Sequence, residues 1–299
     1  MDPGASVSIV VLTHDRCEEL RRTLRGLSES APDCPVVVVD NASADGTPAR
    51  LAREFAQVRW VRSDTNLGAA GRNLGVAQVR TPYVAFCDDD TCWEPGALAR
   101  AAALLDAWPR VALLNASIKV GGQGKPDPGC QAMADSPLDS RGLPGPRILG
   151  FMAGACVMRV EAFLQAGGYW PGFFLGGEET LLGLDLAELG WDMVYAPEVA
   201  TRHFPSPNRD AAARRMLLAR NAIWTAWLRF PAGQAGLLSA DALAGVARMR
   251  DRARVAGRAL AGMPRVWRAR RVLSPRVREM YFLLRATGQR RAAAHPQFS

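Results

Sequence analysis

Tyr83-Val84-Ala85-Phe86-Cys87-Asp88-Asp89-Asp90-Thr91 joins a short apolar run to three consecutive acids. The run reads as a buried strand, which leaves the acids at its carboxyl end. Neighbouring carboxylates repel one another unless a cation lies between them, and oxygen ligands suit a hard divalent ion such as Mg²⁺ or Mn²⁺. An isolated acidic triplet is equally a solvated turn, so its surroundings decide. Upstream, Val7-Ser8-Ile9-Val10-Val11-Leu12-Thr13, Pro35-Val36-Val37-Val38-Val39-Asp40 and Val58-Arg59-Trp60-Val61 are strands of the same kind. Between them Leu20, Leu24 and Leu27 share one helical face, and further helices are expected over 48–56, up to Val79, and over 95–107. Apolar strands alternating with amphipathic helices predict an α/β fold, a mainly parallel sheet with helices on both faces. Ligands bind beyond the carboxyl ends of such strands, where Thr13, Asp40 and Asp88 all fall.

Past Val111-Ala112-Leu113-Leu114, residues 119–147 are rich in Gly, Pro and Asp and read as a long functional loop. Phe151–Met158 and a short helix follow, then Gly176-Gly177-Glu178-Glu179-Thr180 ahead of a helical stretch over 181–191. Acids in a first helical turn favour the helix dipole, whereas two preceding glycines suit a mobile loop presenting a carboxylate. A strand over Asp192–Tyr195 leaves His203 on the loop beyond it, as a hydrogen-bonding residue or as an imidazole completing a carboxylate metal site. From 211 the pattern is helical and Arg-rich, so 1–210 and 211–299 are read as a catalytic domain and an extension.

The chain has 299 residues, 48% hydrophobic and 22% charged, ordinary values for a globular protein with a full core. No apolar stretch is long enough to span a bilayer, and Met1-Asp2-Pro3-Gly4 lacks the regions of a signal peptide. The six cysteines form no C-x-x-C pair, so a reduced, cytoplasmic setting without structural zinc is expected. The net charge of +8 is unevenly held: 14 arginines against two acids between Arg248 and Arg291 leave 23 bases against 27 acids elsewhere. Such a basic segment meets anionic lipid or an acidic partner, or is simply a solvated face. The closing His295–Ser299 carries no readable chemistry.

Asn66-Leu67-Gly68-Ala69-Ala70-Gly71-Arg72-Asn73-Leu74-Gly75 sets glycines where backbone approaches a phosphate at a helix start, but it is neither a dinucleotide fingerprint nor a P-loop. Gly75 is explained as well by helix–sheet packing. Together with Val-Leu-Thr-His-Asp-Arg, Val-Asp-Asn-Ala-Ser-Ala-Asp-Gly-Thr, the acidic triplet and Gly-Gly-Glu-Glu, in this order, the loop resembles family 2 glycosyltransferases, inverting enzymes of the GT-A fold. The resemblance covers about residues 6–210, with a nucleotide-binding half to about 118 and an acceptor half beyond it.

That resemblance implies roles. Thr13, Asp15, Asp40 and Asn41 would line the nucleotide pocket, with Asp40 accepting a hydrogen bond from the base, and Arg72 would lie near base or diphosphate. Asp88 and Asp90 would form the D-x-D element, Asp90 holding Mg²⁺ or Mn²⁺ and Asp88 meeting ribose or the metal shell, and Asp89 would join the nucleotide-sugar site. His203 would complete the metal site. Glu179 stands where the family has its catalytic base, usually Asp, and Glu178 remains a candidate. The donor would be a UDP- or dTDP-sugar, and the acceptor a small molecule, a carrier-bound intermediate or a lipid-linked glycan.

A sugar-phosphate nucleotidyltransferase would join a similar sheet, metal and nucleotide, but Thr13-His14-Asp15-Arg16 is not its Gly-rich loop. A catalytically inactive nucleotide-sugar-binding scaffold docked through the basic tail would keep the pocket alone. Trp224, Trp227 and Leu228 form an apolar helical stripe that suits core packing, a homodimer contact or peripheral membrane binding at the inner face. No nucleic-acid module is recognisable, so nucleic acid is not an expected partner.

Overall fold

The apolar runs pair as strands of one sheet in the computed structural model, which describes residues 6–205 and 211–294. Met1–Gly4, His295–Ser299 and the expected boundary at 210 lie outside the described residues. β1 (Val7–Thr13), β2 (Val36–Asp40), β3 (Arg59–Arg62) and β4 (Tyr83–Asp88) are joined by α1 (Cys17–Ser30), α2 (Thr47–Glu54) and α3 (Arg72–Val76). Next come β5 (Thr91–Trp93), α4 (Ala97–Ala107), β6 (Val111–Val120), β7 (Lys125–Pro126), α5 (Pro128–Ala134), β8 (Cys156–Arg159) and α6 (Val160–Gln165). α7 (Glu178–Glu188) and β9 (Asp192–His203) complete the sheet layer. Five helices end the chain: α8 (Ala211–Arg229), α9 (Ala232–Ala244), α10 (Met249–Ala261), α11 (Met263–Arg268) and α12 (Pro275–Ala294).

The nine strands run β3-β2-β1-β4-β8-β6-β9-β5, with β7 on β6. The long pairings, β1 with β2 and β4 and β6 with β9, are parallel, while β8 and β5 pair antiparallel. Ile9, Val10, Val11, Val38, Val39 and Val84 are wholly buried, as β-branched residues of a sheet covered on both faces must be. Leu20, Leu24 and Leu27 bury one face of α1. At Gly75 an added Cβ would meet Val10 Cγ1 at 2.5 Å and Val39 Cγ2 at 2.9 Å, so this glycine lets α3 lie against the sheet.

β2 and β3 lie on one side of β1 and β4 on the other, so the order reverses between β1 and β4, the crevice where open sheets bind ligands. Register brings the strand ends together there, Thr13 beside Asp40 and Leu12 beside Asp88.

Two sequence expectations need correction. The 119–147 segment is not one loop: it holds β7 and α5, the latter started by Asp127, whose carboxylate accepts Gly129 N–H at 2.8 Å. β9 does not stop at Tyr195 but runs to His203, which therefore ends a strand. Its register on β6 jumps from Ala116–Ala196 to Ser117–Ala200, a bulge at Pro197, which has no amide proton for the ladder. The bulge hides the strand's second half from pattern reading.

The C-terminal helices are packed onto this layer. Trp224 and Leu228 of α8 are buried with Phe173 and Leu181, and Phe230, Leu273 and Val277 join the core on the sheet. Trp224 Nε1 donates to Ala259 O and Trp227 Nε1 to Ser239 Oγ, so the Trp stripe is core packing. Arg229 forks onto Asp185 of α7 at 2.5 and 2.8 Å. No helix among the described residues is long and apolar enough to cross a membrane.

Candidate active site

A cavity of about 840 Å³ opens where β1 and β4 end. It is lined by Thr13, Arg16 and Asp88–Asp90, by Asn41, Asn66 and Arg72, and by Gly176–Thr180. Asp89 and Asp90 make the turn between β4 and β5, and α1 pins that turn through Thr23 Oγ1, which donates to Asp89 O at 2.8 Å.

The three acids have different partners. Asp88 is the exposed one, its side chain 40% accessible, and it pairs with the Arg72 guanidinium. At Gly154 an added Cβ would come within 2.6 Å of Asp88 Oδ2, so a bare backbone makes room for this carboxylate. Asp89 is buried and accepts from Thr13 Oγ1 at 2.9 Å and from Arg16 at 2.6 Å. Burial, with the charges of Asp88 and Asp90, pushes its pKa up to about 7 against the pull of Arg16 and Thr13. Asp90 accepts from Arg16 at 3.0 Å and lies 3.6 Å from His203 Nε2. Burial works against its charge, but His203 and Arg16 prevail and hold it below the usual carboxylate range. His203 reaches this point because it pairs with Thr91 across β5 and β9.

Arg72 is buried, and its Nε, the Glu178 Oε2 and the Tyr169 hydroxyl are all buried without a partner. Buried polar atoms are rarely orphaned in native proteins, so the two that belong to cavity-lining residues, on Arg72 and Glu178, mark a site whose ligand supplies contacts. Burial works against the Arg72 charge, yet Asp88 first, and also Glu178 and Glu179, hold the guanidinium firmly protonated. Glu178 and Glu179 begin α7 after Gly177, whose φ is +87°. Burial raises the proton affinity of both, and for Glu178 the charge of Glu179 adds to it.

Two expected pocket residues do not line the cavity. Asp40 is wholly buried, accepting Ser43 N–H at 2.9 Å and pairing with Arg62. Asp15 accepts Ala44 N–H at 2.5 Å outside the lining. Asn41 lines the cavity, but its amide is engaged by Asn66 Oδ1, Gly68 O and Leu67 N–H, so it braces the Gly68 loop. Thr13, Arg72, Asp88, Asp89, Asp90, Glu178, Glu179 and His203 are all brought to the cavity.

Sequence reading passes over Arg16, which bridges Asp89 and Asp90, although it stands just beyond the end of β1 where site residues gather. It also passes over Arg214, Leu217 and Leu218 of α8, which line the cavity from the extension. Asn221 was equally silent: wholly buried, its Nδ2 donates to Phe173 O at 3.2 Å, Leu175 O at 3.0 Å and Gly176 O. Arg220 adds a 2.6 Å bond to Phe173 O, so α8 clamps the loop that leads into Glu178.

Residues 8–164 match the model of Glycosyl transferase family 2. The chain belongs to this family. A curated relative, the N-acetylglucosaminyl-diphospho-decaprenol L-rhamnosyltransferase of Mycobacterium tuberculosis, is 29% identical over 246 residues, 69% of this chain and 78% of that protein. The succinoglycan biosynthesis protein ExoO of Rhizobium meliloti is 33% identical over 110 residues, 36% of this chain and 32% of its own length. Among solved structures, GalNAc-T7 with UDP, GalNAc and Mn²⁺ superposes with a TM-score of 0.62 at 15% identity, over 78% of this chain and 49% of that one. The mannosyltransferase PcManGT of Pyrobaculum calidifontis, in complex with GDP-Man and Mn²⁺, gives 0.55 at 19% identity, over 95% and 86%. These likenesses establish the GT-A fold, and this family 2 member is a glycosyltransferase.

Proposed function

We propose that the chain moves a sugar from a UDP- or dTDP-sugar to an acceptor hydroxyl, with inversion, in the cavity between β1 and β4. The observation that carries this reading is what one cavity gathers: paired acids and arginines at the strand ends, together with the Glu178 and Glu179 carboxylates that begin α7. The rhamnosyltransferase relative makes L-rhamnose the first sugar to test.

The residues fit a divalent ion. Asp90 Oδ1 and His203 Nε2 come within 3.6 Å of each other at the cavity, an oxygen and an imidazole nitrogen of the kinds that a divalent ion such as Mn²⁺ accepts. No group of three such side chains gathers among the described residues, so waters and the donor's phosphates would have to complete the ion's shell. When bound, the ion would neutralise charge on the departing diphosphate.

The chain's own groups supply the rest. Arg72, held protonated beside Asp88, stabilises negative charge developing on the leaving group. Arg16 keeps Asp89 and Asp90 together, and Thr13 holds Asp89 in place. Glu179 takes the proton from the acceptor hydroxyl, and burial strengthens it as a base. Phe174, Leu175 and Leu218 give the cavity an apolar margin, which suits a lipid-linked acceptor.

Calorimetric titration with a panel of nucleoside diphosphates and their sugars, with Mn²⁺ or Mg²⁺ and then with chelator, tests the donor assignment. Metal-dependent binding of one nucleotide is expected. Folded protein that binds none would overturn it.

A further inference from the structure

α10 turns Val255 and Ala259 inward against Trp224 and leaves its opposite face in solvent. On that face Met249, Ala253, Gly257 and Leu260 recur at spacings of four, four and three, a single apolar stripe of an α-helix. Met249 is 73% exposed and Leu260 69%, values that a side chain packed in a fold does not have. Arg250, Arg254 and Arg258 run beside the stripe at successive fourth positions. The next helix adds Trp267, 53% exposed, between the exposed Arg265 and Arg268. From Arg248 to Ser274 there are nine arginines and one acid, Asp251, which Arg250 and Arg254 share at 3.9 and 3.4 Å.

A solvated face intersperses both signs and hides its larger apolar side chains. An exposed apolar stripe flanked by arginines, with an aromatic at its edge, instead matches a helix lying in the plane of a bilayer surface. The face is also joined to the cavity. Val255 and Ala259 of α10 pack with Trp224 of α8, and over the Trp224 ring lies Arg220, which donates to Phe173 O. Two residues before Arg220, Leu218 lines the cavity together with Phe174 and Leu175, and all three are partly exposed.

We propose that the outer face of α10, with Trp267 of α11, docks on a bilayer containing anionic phospholipid and so brings the cavity margin to the membrane. This rests on the reading that the acceptor is lipid-linked. Arginines close to an anionic surface draw the protein down, and the apolar stripe enters the boundary between headgroups and acyl chains.

The test is flotation of the full chain with vesicles of phosphatidylcholine alone and of phosphatidylcholine with phosphatidylglycerol. Binding is expected to the anionic vesicles and to weaken with salt. Arg258→Ala, Arg265→Ala and Arg268→Ala, at about fivefold each, should together lower partitioning by about a hundredfold. Leu260→Glu should weaken it further. No binding to anionic vesicles, or equal binding by the substituted chain, would overturn the surface. Binding to duplex DNA with vesicles left unbound would overturn it in favour of a nucleic-acid face. Mn²⁺-dependent titration with UDP and dTDP reads the transferase assignment separately, since these exposed residues lie outside the cavity. Nucleotide bound and vesicles unbound removes the docking surface alone. Vesicles bound and nucleotide unbound removes the transferase reading and leaves the surface.

Discussion

Asp90 carries a depressed pKa because His203 and Arg16 both favour its charged form against burial, so its replacement disturbs a balanced set of charges. Asp90→Asn keeps the shape and removes the charge. Metal-dependent donor affinity and turnover should fall together, by tenfold or more on the order of one lost charged contact. Calorimetry with and without Mn²⁺ reads this, and an unaltered metal dependence would move the ligand role elsewhere. Glu179→Gln makes a different cut. Loss of a general base costs about 10²–10⁴ in turnover, with donor affinity nearly intact. Full activity in that variant would pass the role to Glu178. The pH sign follows from burial. Both glutamates hold their protons to higher pH than an ordinary carboxyl, and a protonated carboxyl accepts no proton. Turnover should therefore rise with pH through a value above the usual glutamate range, near 4.5. A profile flat from pH 5 to 8 would speak against either glutamate as the base.

At the scale of elements, the Phe173–Gly177 loop depends on a helix far along the chain. Asn221 of α8 shares its two amide protons among three of the loop's carbonyls, and Ala69 N–H donates to Phe174 O at 2.6 Å. Asn221→Ala strips buried carbonyls of their donor, at about 1–3 kcal/mol, and loosens the entry to Glu178 and Glu179. A displacement near 1 Å costs about a hundredfold in rate, so kcat should fall while donor affinity stays. Paired measurement of melting temperature, donor binding and kcat checks this. A lower melting temperature with unchanged kcat would reduce Asn221 to a structural role. This clamp also marks where sequence reading runs out. Val36–Val39 announces a buried strand by composition, and the acids after Phe86 announce a site by position. Asn221 announces nothing, because its meaning lies in carbonyls brought to it by tertiary packing. The start of α7 is similarly hidden, since Gly177 caps it by a positive φ and no Ser, Thr or Asp signals the cap. Asp40 is read from its place in the strand, and only the structure shows its partners. It ends its strand in register with Thr13, yet Arg62 from β3 and the Ser43 amide claim its carboxylate before the cavity can.

For the molecule as a whole, composition separates a neutral-to-acidic catalytic part from a basic extension, but packing does not respect that division. α8 lines the cavity, Val255, Ala259 and Val266 of α10 and α11 cover Trp224 and Phe173, and Leu273 and Val277 enter the core on the sheet. Leu273 N–H also donates to Arg229 O, beside the fork onto Asp185 that ties α8 to α7. Fully burying a Val or Leu side chain stabilises by roughly 1.5–3 kcal/mol. Losing Val255, Val266, Leu273 and Val277 thus removes roughly 6–12 kcal/mol, which is of the order of a whole domain's net stability of about 5–15 kcal/mol. A chain ending at Arg248 should therefore fail to unfold cooperatively and should expose enough apolar surface to aggregate, before any question of vesicle binding arises. Thermal unfolding of the truncated and full chains, followed by circular dichroism, decides it. A truncated chain melting within a few degrees of the full one would make α10–α12 a separable module. A cooperative transition lost on truncation makes α10–α12 part of the catalytic domain, the cover that completes the core around α8, the helix that holds the loop leading to the base.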